Sequence, residues 1–149
     1  MAESFLYFME HAQDVVSRYK ELYTQILGKE LKIHETEDDE YICNNMQFYD
    51  LSDKWSVGVN LEGNSYSEER LLQIACKTKM IYIYFEDDVL SGEYVVVRDG
   101  KIIRRLYDYF DTPELNRNEG KYEIEDVFTV ENAADIAALS DYLFDNYLA

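Results

Sequence analysis

Apolar positions recur along this chain with two different periods, and the change from one to the other marks out its elements. From Phe5 to Ile26 the residues Phe5, Phe8, Met9, Ala12, Val15, Val16, Tyr19, Leu22, Tyr23 and Ile26 follow the i, i+3, i+4, i+7 spacing of an amphipathic helix. Ser4 is placed to cap it and Gly28 to end it. The first residues, SFLYFME, also suit a short strand, because Phe and Tyr are strand formers. Leu31 and Ile33 suggest a short strand before the acidic turn Glu35-Thr36-Glu37-Asp38-Asp39-Glu40. Tyr41 to Tyr49 reads as one strand, and Trp55 to Leu61 as another, with Trp55, Val57, Val59 and Leu61 facing a core and Ser56, Gly58 and Asn60 facing water.

Ser65-Tyr66-Ser67-Glu68 has the form of a capping box ahead of a second helix from about Ser67 to Lys77. The stretch from Lys79 to Phe110 then reads as three strands and holds the densest apolar content. Its clearest signal is Asp99-Gly100, suited to the type I′ turn of a two-residue hairpin. That turn sets Val97 opposite Ile102, Val96 opposite Ile103, Val95 opposite Arg104 and Tyr94 opposite Arg105, so that Arg105 can lie over an aromatic ring. After Phe110 a loop holds the only proline, Pro113, with a short strand expected at Tyr122–Ile124. Thr129 is placed to cap a last helix from about Val130 to Tyr147, whose inner face carries Ala133, Ile136, Ala137, Leu139, Ser140, Leu143, Phe144 and Tyr147. The expected fold is a single α+β domain over residues 1–149. It has a mainly antiparallel sheet of five to six strands and three helices, in the order α-β-β-(β)-α-β-β-β-α.

Composition supports a folded chain: 47% apolar and 15% aromatic residues outweigh a net charge of −17. Cys43 and Cys76 are isolated, which indicates neither a disulfide framework nor a zinc site and fits a reduced, cytoplasmic compartment. The N-terminus lacks a basic region and a cleavage site, and no apolar run is long enough to cross a membrane. The acid excess is localised. Residues 29–54 hold 3 basic and 8 acidic groups and residues 111–149 hold 2 and 10, whereas the expected sheet is nearly balanced. Such a field repels nucleic acid and steers cationic partners inward.

Chemistry is harder to place. Glu86-Asp87-Asp88 could bind a hard cation, but an acidic turn without glycine-spaced ligands is the simpler account. His11 and His34 lack metal or general-base spacing. Asp108, Asp111 and Glu119-Gly120-Lys121 loosely match the acid, acid, lysine set of metal-dependent nucleases, a reading that the chain's charge opposes. No Gly-rich phosphate loop or nucleophile elbow is present, so no catalytic residue, metal or cofactor is expected. Fourteen tyrosines are less ordinary. Tyr41, Tyr49, Tyr66, Tyr84, Tyr107 and Tyr109 are candidates for exposure, and tyrosine beside carboxylate suits Arg- and Lys-rich partners. The candidate partner-binding residues are Glu35, Glu37, Asp38, Asp39, Glu40, Glu86, Asp87, Asp88, Tyr107, Tyr109, Asp111 and Glu114.

Over residues 55–126, a strand ending in acids, the hairpin YVVVRDGKIIRRL, a Gly-Lys and an acidic strand give the chain a resemblance to the small acidic bacterial immunity proteins of polymorphic and contact-dependent toxin systems. The resemblance implies a non-enzymatic cytosolic protein that binds a cognate toxin, often a basic nuclease domain, and occludes its active site. A small-ligand-binding or enzymatic α+β domain is the alternative from another class, and an acidic adaptor or nucleic-acid mimic a third. On any of these readings stretch 79–110 is mainly scaffold, and recognition falls to the displaced acids.

Overall fold

The computed structural model describes residues 2–88 and 90–147, the side chains of 146 and 147 excepted. In chain order it holds β1 (Ala2–Phe8), α1 (Ala12–Leu27), β2 (Ile33–Glu35), β3 (Tyr41–Cys43), β4 (Met46–Asp50), β5 (Ser56–Asn60), α2 (Glu68–Ala75), β6 (Met80–Glu86), β7 (Ser91–Arg98), β8 (Lys101–Asp108), β9 (Arg117–Gly120) and α3 (Ala133–Tyr142). The α+β class, the antiparallel sheet and the three helices match expectation. The strand number does not: one sheet of nine strands runs in the order β2-β3-β4-β5-β1-β6-β7-β8-β9.

The first element is a strand, not the start of a helix, and β1 lies at the middle of the sheet. Its side chains alternate, Leu6 and Phe8 packing towards α1, Phe5 and Tyr7 towards α3. A strand buried on both faces reads as a continuous apolar run, and this run happened to be in phase with the helix behind it. Helix α1 begins only at Ala12, whose N–H donates to Asp50 Oδ1 at 2.7 Å, a cap from a remote strand. Gly28 ends it in the left-handed conformation, as expected.

The extra strands are short. Tyr41 to Tyr49 is interrupted at Asn44, whose φ of 54° makes a tight turn that pairs Cys43 with Met46. Strand β9 falls at Arg117–Gly120, while Tyr122–Ile124, expected as a strand, enters a helical turn at Glu123–Asp126. Strand β5 is buried on both faces, because Gly58 lies under Phe48 and Ser56 is covered as well.

Hairpin β7–β8 turns at Asp99 and Gly100, both at positive φ (53° and 76°). Its first pair, Val97 with Ile102, is as expected, but a bulge then shifts Val96 opposite Arg104 and Val95 opposite Arg105. A one-residue slip exchanges faces for everything beyond it. Leu106 therefore joins Tyr94 and Val96 on the α3 side, while Arg105 and Tyr107 turn to the α1–α2 side. Arg104, not Arg105, stacks over an aromatic ring, that of Tyr94 at 5.5 Å. Gly120 closes the adjoining β9 at a φ of 76°, where any Cβ would overlap the Ile103 carbonyl in the bulge.

Helix α1 and helix α2 cover one face of the sheet and α3 the other. Leu6, Phe8, Phe48, Leu71, Tyr82 and Val95 typify the first core, and Tyr7, Val57, Ile83, Tyr94, Ile136 and Leu139 the second. Helix α3 starts at an Asn132 cap, not Thr129: Asn132 Oδ1 accepts from Asp135 N at 2.9 Å, and Asp108 Oδ2 from Ala133 N at 2.7 Å. Its inner face is the expected one through Leu143, with Phe144 half-buried against Phe5 and Tyr7. Tyr147, placed on the same face, lies outside the described side chains. No helix among the described residues is long and apolar enough to cross a membrane.

Candidate functional site

The strand registers divide the acidic residues between two ends of the sheet. Because Ala2 pairs with Glu86 and Ser4 with Asn60, one end collects the β5–α2 connection, the β6–β7 turn and the segment after β8. Turn 36–40 lies at the other end, since Tyr41 pairs with Phe48 and Asp50 with Ser56. Five strand spacings of ~4.8 Å put it about 24 Å to the side of the β6–β7 turn as well. Glu35, Glu37, Asp38, Asp39 and Glu40 therefore form one acidic surface, beside His11 and Asp50. Glu86, Asp87, Asp88, Tyr107, Tyr109, Asp111 and Glu114 belong to another.

The end that carries Glu86 differs from its opposite in two ways. Residues 61–67, 87–90 and 109–116 contain no lysine or arginine, whereas Lys54, Lys77 and Lys79 lie on connections at the opposite end and Arg98 and Lys101 at strand ends there. Large apolar side chains also stand out among the acids. Phe110 is 69% exposed, and Leu61, Leu90 and Leu115 are more than half exposed. Glu62, Asp87, Asp111 and Glu114 are exposed around them. From β5 to β8 this row spans four strand spacings, about 19 Å. An apolar centre within a charged rim is the composition of a protein-binding patch.

Behind the rim, phenols hold carboxylates in place. Glu93 accepts from Tyr82 at 2.7 Å and from Tyr109, and Glu86 accepts from Tyr84. Glu68, the first residue of α2, accepts from Tyr107 and takes a two-pronged contact from Arg105, at 2.7 Å from Nε and 2.6 Å from Nη2. Ser67 caps the helix through Arg70 N, so the expected Ser65 capping box does not form and Glu68 is free for this pairing. The Arg105 contact, helped by Tyr107, holds the Glu68 carboxyl below its ordinary value. Burial first, and then the adjoining Glu93, pushes the Tyr82 and Tyr109 phenols well above theirs. Tyr107 and Tyr109 stack with centroids 6.1 Å apart. Of the predicted tyrosines these two do reach the site, but their hydroxyls are already donated, so they offer a partner ring edges instead of free donors.

The residues of the nuclease reading are dispersed. Asp108 caps α3, Glu119 pairs with Arg105 and Arg117, and Lys121 pairs with Asp126 at 2.8 Å. Among the described residues no three His, Cys, Asp or Glu side chains are grouped to hold a metal ion. Cys43 is buried, which pushes its thiol up to about 11.

Leu61, Leu90 and Phe110 escaped the sequence reading. Leu61 continued the alternation of Trp55, Val57 and Val59, and nothing in that pattern shows the strand stopping at Asn60. The absence of basic residues from three separate connections was visible in the sequence, but only the register brings them together. Compared with known proteins, the chain matches no family model, no curated protein and no solved structure.

Proposed function

We propose that the chain is a non-enzymatic acidic binding protein whose partner is a basic protein, and that it acts as an immunity protein covering the active site of a cognate toxin. The observation that carries the binding reading is the row of exposed Leu61, Leu90 and Phe110 set among Glu62, Asp87, Asp111 and Glu114 on connections without a basic residue. Its apolar centre supplies affinity, and its carboxylates supply orientation and a fast, salt-sensitive association. The toxin assignment rests on the resemblance of residues 55–126 to acidic immunity proteins. It also rests on the fit between an acidic surface and the cationic groove with which a nuclease holds its substrate. Glu86 and Glu93, fixed by their phenol donors, bind without losing side-chain freedom, which lowers the entropic cost of association.

The test is binding to the product of the gene beside this one. Phe110→Ala lowers affinity by about thirtyfold or more, chiefly through faster dissociation. Asp87→Lys slows association and flattens the salt dependence. Glu37→Lys, at the other end of the sheet, leaves affinity within about twofold, as for a charge remote from an interface. The site assignment fails if Glu37→Lys is the damaging change and Phe110→Ala is silent.

A further inference from the structure

A cleft of about 280 Å³ lies between α1 and α2, on the helix-covered face and next to the β5–α2 connection. Its walls are apolar: Leu22, Leu27 and Ile74, with the rings of Tyr19, Tyr23 and Tyr66. Ser65, Ser67 and Arg70 stand at its rim. Arg70 is exceptional in this chain. The other five arginines, Arg18, Arg98, Arg104, Arg105 and Arg117, each pair with a glutamate, whereas Arg70 has no carboxylate within ion-pair distance among the described residues. A half-buried guanidinium with no carboxylate partner among the described residues, in a protein with 31 acids and 14 bases, suits an anion from outside the chain.

The hydroxyls beside it point to the same chemistry. Tyr19 makes no side-chain hydrogen bond among the described residues, and burial pushes its phenol up to about 12, so it is a neutral donor. Tyr23 OH accepts from Asn44 Nδ2 at 3.1 Å and keeps its own proton to give. Tyr66 OH, by contrast, is engaged by Asn60 and the Met46 sulfur and serves as wall. Free donors and one cation at the rim of an apolar slot suit a molecule with an anionic head and an apolar body. The volume falls just below the ~300–1,000 Å³ of drug-sized pockets, so the molecule is small.

We infer that the α1–α2 cleft binds a small organic carboxylate, its head on Arg70 and the Tyr19 hydroxyl and its short aliphatic or aromatic tail against Leu22, Leu27 and Ile74. The cleft adjoins the proposed toxin-binding surface at Ser65 and Ser67 but contains none of Leu61, Leu90 and Phe110, so either can fail without the other.

Hexanoate is the probe, titrated into the ¹⁵N-labelled full chain, with hexanol as its uncharged counterpart. The Arg70 side-chain N–H and the amides of residues 65–70 shift saturably with hexanoate, and hexanol binds about tenfold to a hundredfold more weakly, the worth of a charge-assisted hydrogen bond. Arg70→Gln loses the same factor. Because Arg70 has no ion-pair partner among the described residues, that variant keeps its fold, as an unchanged amide spectrum outside the cleft verifies. Leu22→Trp, which fills the slot, abolishes binding, and Arg98→Gln, in an exposed pair elsewhere, does not alter it. The inference is overturned if hexanoate produces no saturable shift at the cleft, if hexanol binds equally well, if Arg70→Gln binds hexanoate as the parent does, or if an acidic peptide without apolar residues displaces it.

Discussion

Replacing Arg104 by methionine is expected to cost about 3–5 kcal/mol of stability, the largest single effect in the molecule. The side chain is 3% exposed, and its Nε meets both oxygens of Glu125, at 3.0 and 2.9 Å. Its Nη atoms reach Asn118 Oδ1 at 2.9 Å, the Glu119 carbonyl at 3.2 Å and the Val130 carbonyl at 3.3 Å. One guanidinium thus ties β9 and the segment before α3 to the sheet, and its removal leaves the nearly buried Glu125 carboxylate without its charge partner. Adding Glu125→Gln to the variant recovers part of the loss, because it removes the stranded charge. Urea unfolding reads the effect as a fall in midpoint at an unchanged m-value, with amide exchange rising first over residues 117–130. A loss below about 1 kcal/mol would reduce Arg104–Glu125 to the rank of a surface pair.

The second large effect is on the alkaline side. Burial, reinforced at several sites by a neighbouring carboxylate, raises the phenols of Tyr7, Tyr82, Tyr84, Tyr94, Tyr107 and Tyr109 beyond the ordinary range, and Tyr19 up to about 12. A group raised in the folded state stabilises it fully below its unfolded value, here about pH 10, and that contribution is lost as pH climbs towards the folded value. Each phenol held neutral removes about 1.4 kcal/mol of stability per pH unit above 10. Several acting together make the loss steep. Phenolate absorbance is therefore expected to rise chiefly in one cooperative step above pH 10, together with the loss of circular dichroism. Titration of all fourteen tyrosines in one gradual phase, with the fold intact, would contradict the packing described.

How much of this could be read from the chain depended on whether a signal was local. The Asp99-Gly100 turn, the Gly28 stop and the inner face of α3 through Leu143 follow from neighbouring residues alone, and each was legible. Strand β1 was not, because a fully buried strand and a helix can share an apolar run, and only its pairing with β5 and β6 decides between them. The bulge at Val96 and Val97 leaves no mark in the alternation, yet it determines which of two adjacent arginines is buried against Glu125 and which reaches Glu68. The candidate site had the same mixture. Asp87, Asp88, Tyr107, Tyr109, Asp111 and Glu114 were nameable as acids and aromatics near strand ends, but their separation from residues 35–40 is a property of strand order. So is the company of Leu61, Leu90 and Phe110.

The most direct measurement is the hydrogen-exchange footprint of the complex with the product of the neighbouring gene. The proposal predicts a tight, salt-sensitive complex with slowed exchange concentrated at residues 61–63, 90–93 and 107–115. No complex with that protein, or a footprint on α3 or on residues 35–40 that leaves the Phe110 surface unprotected, would contradict it.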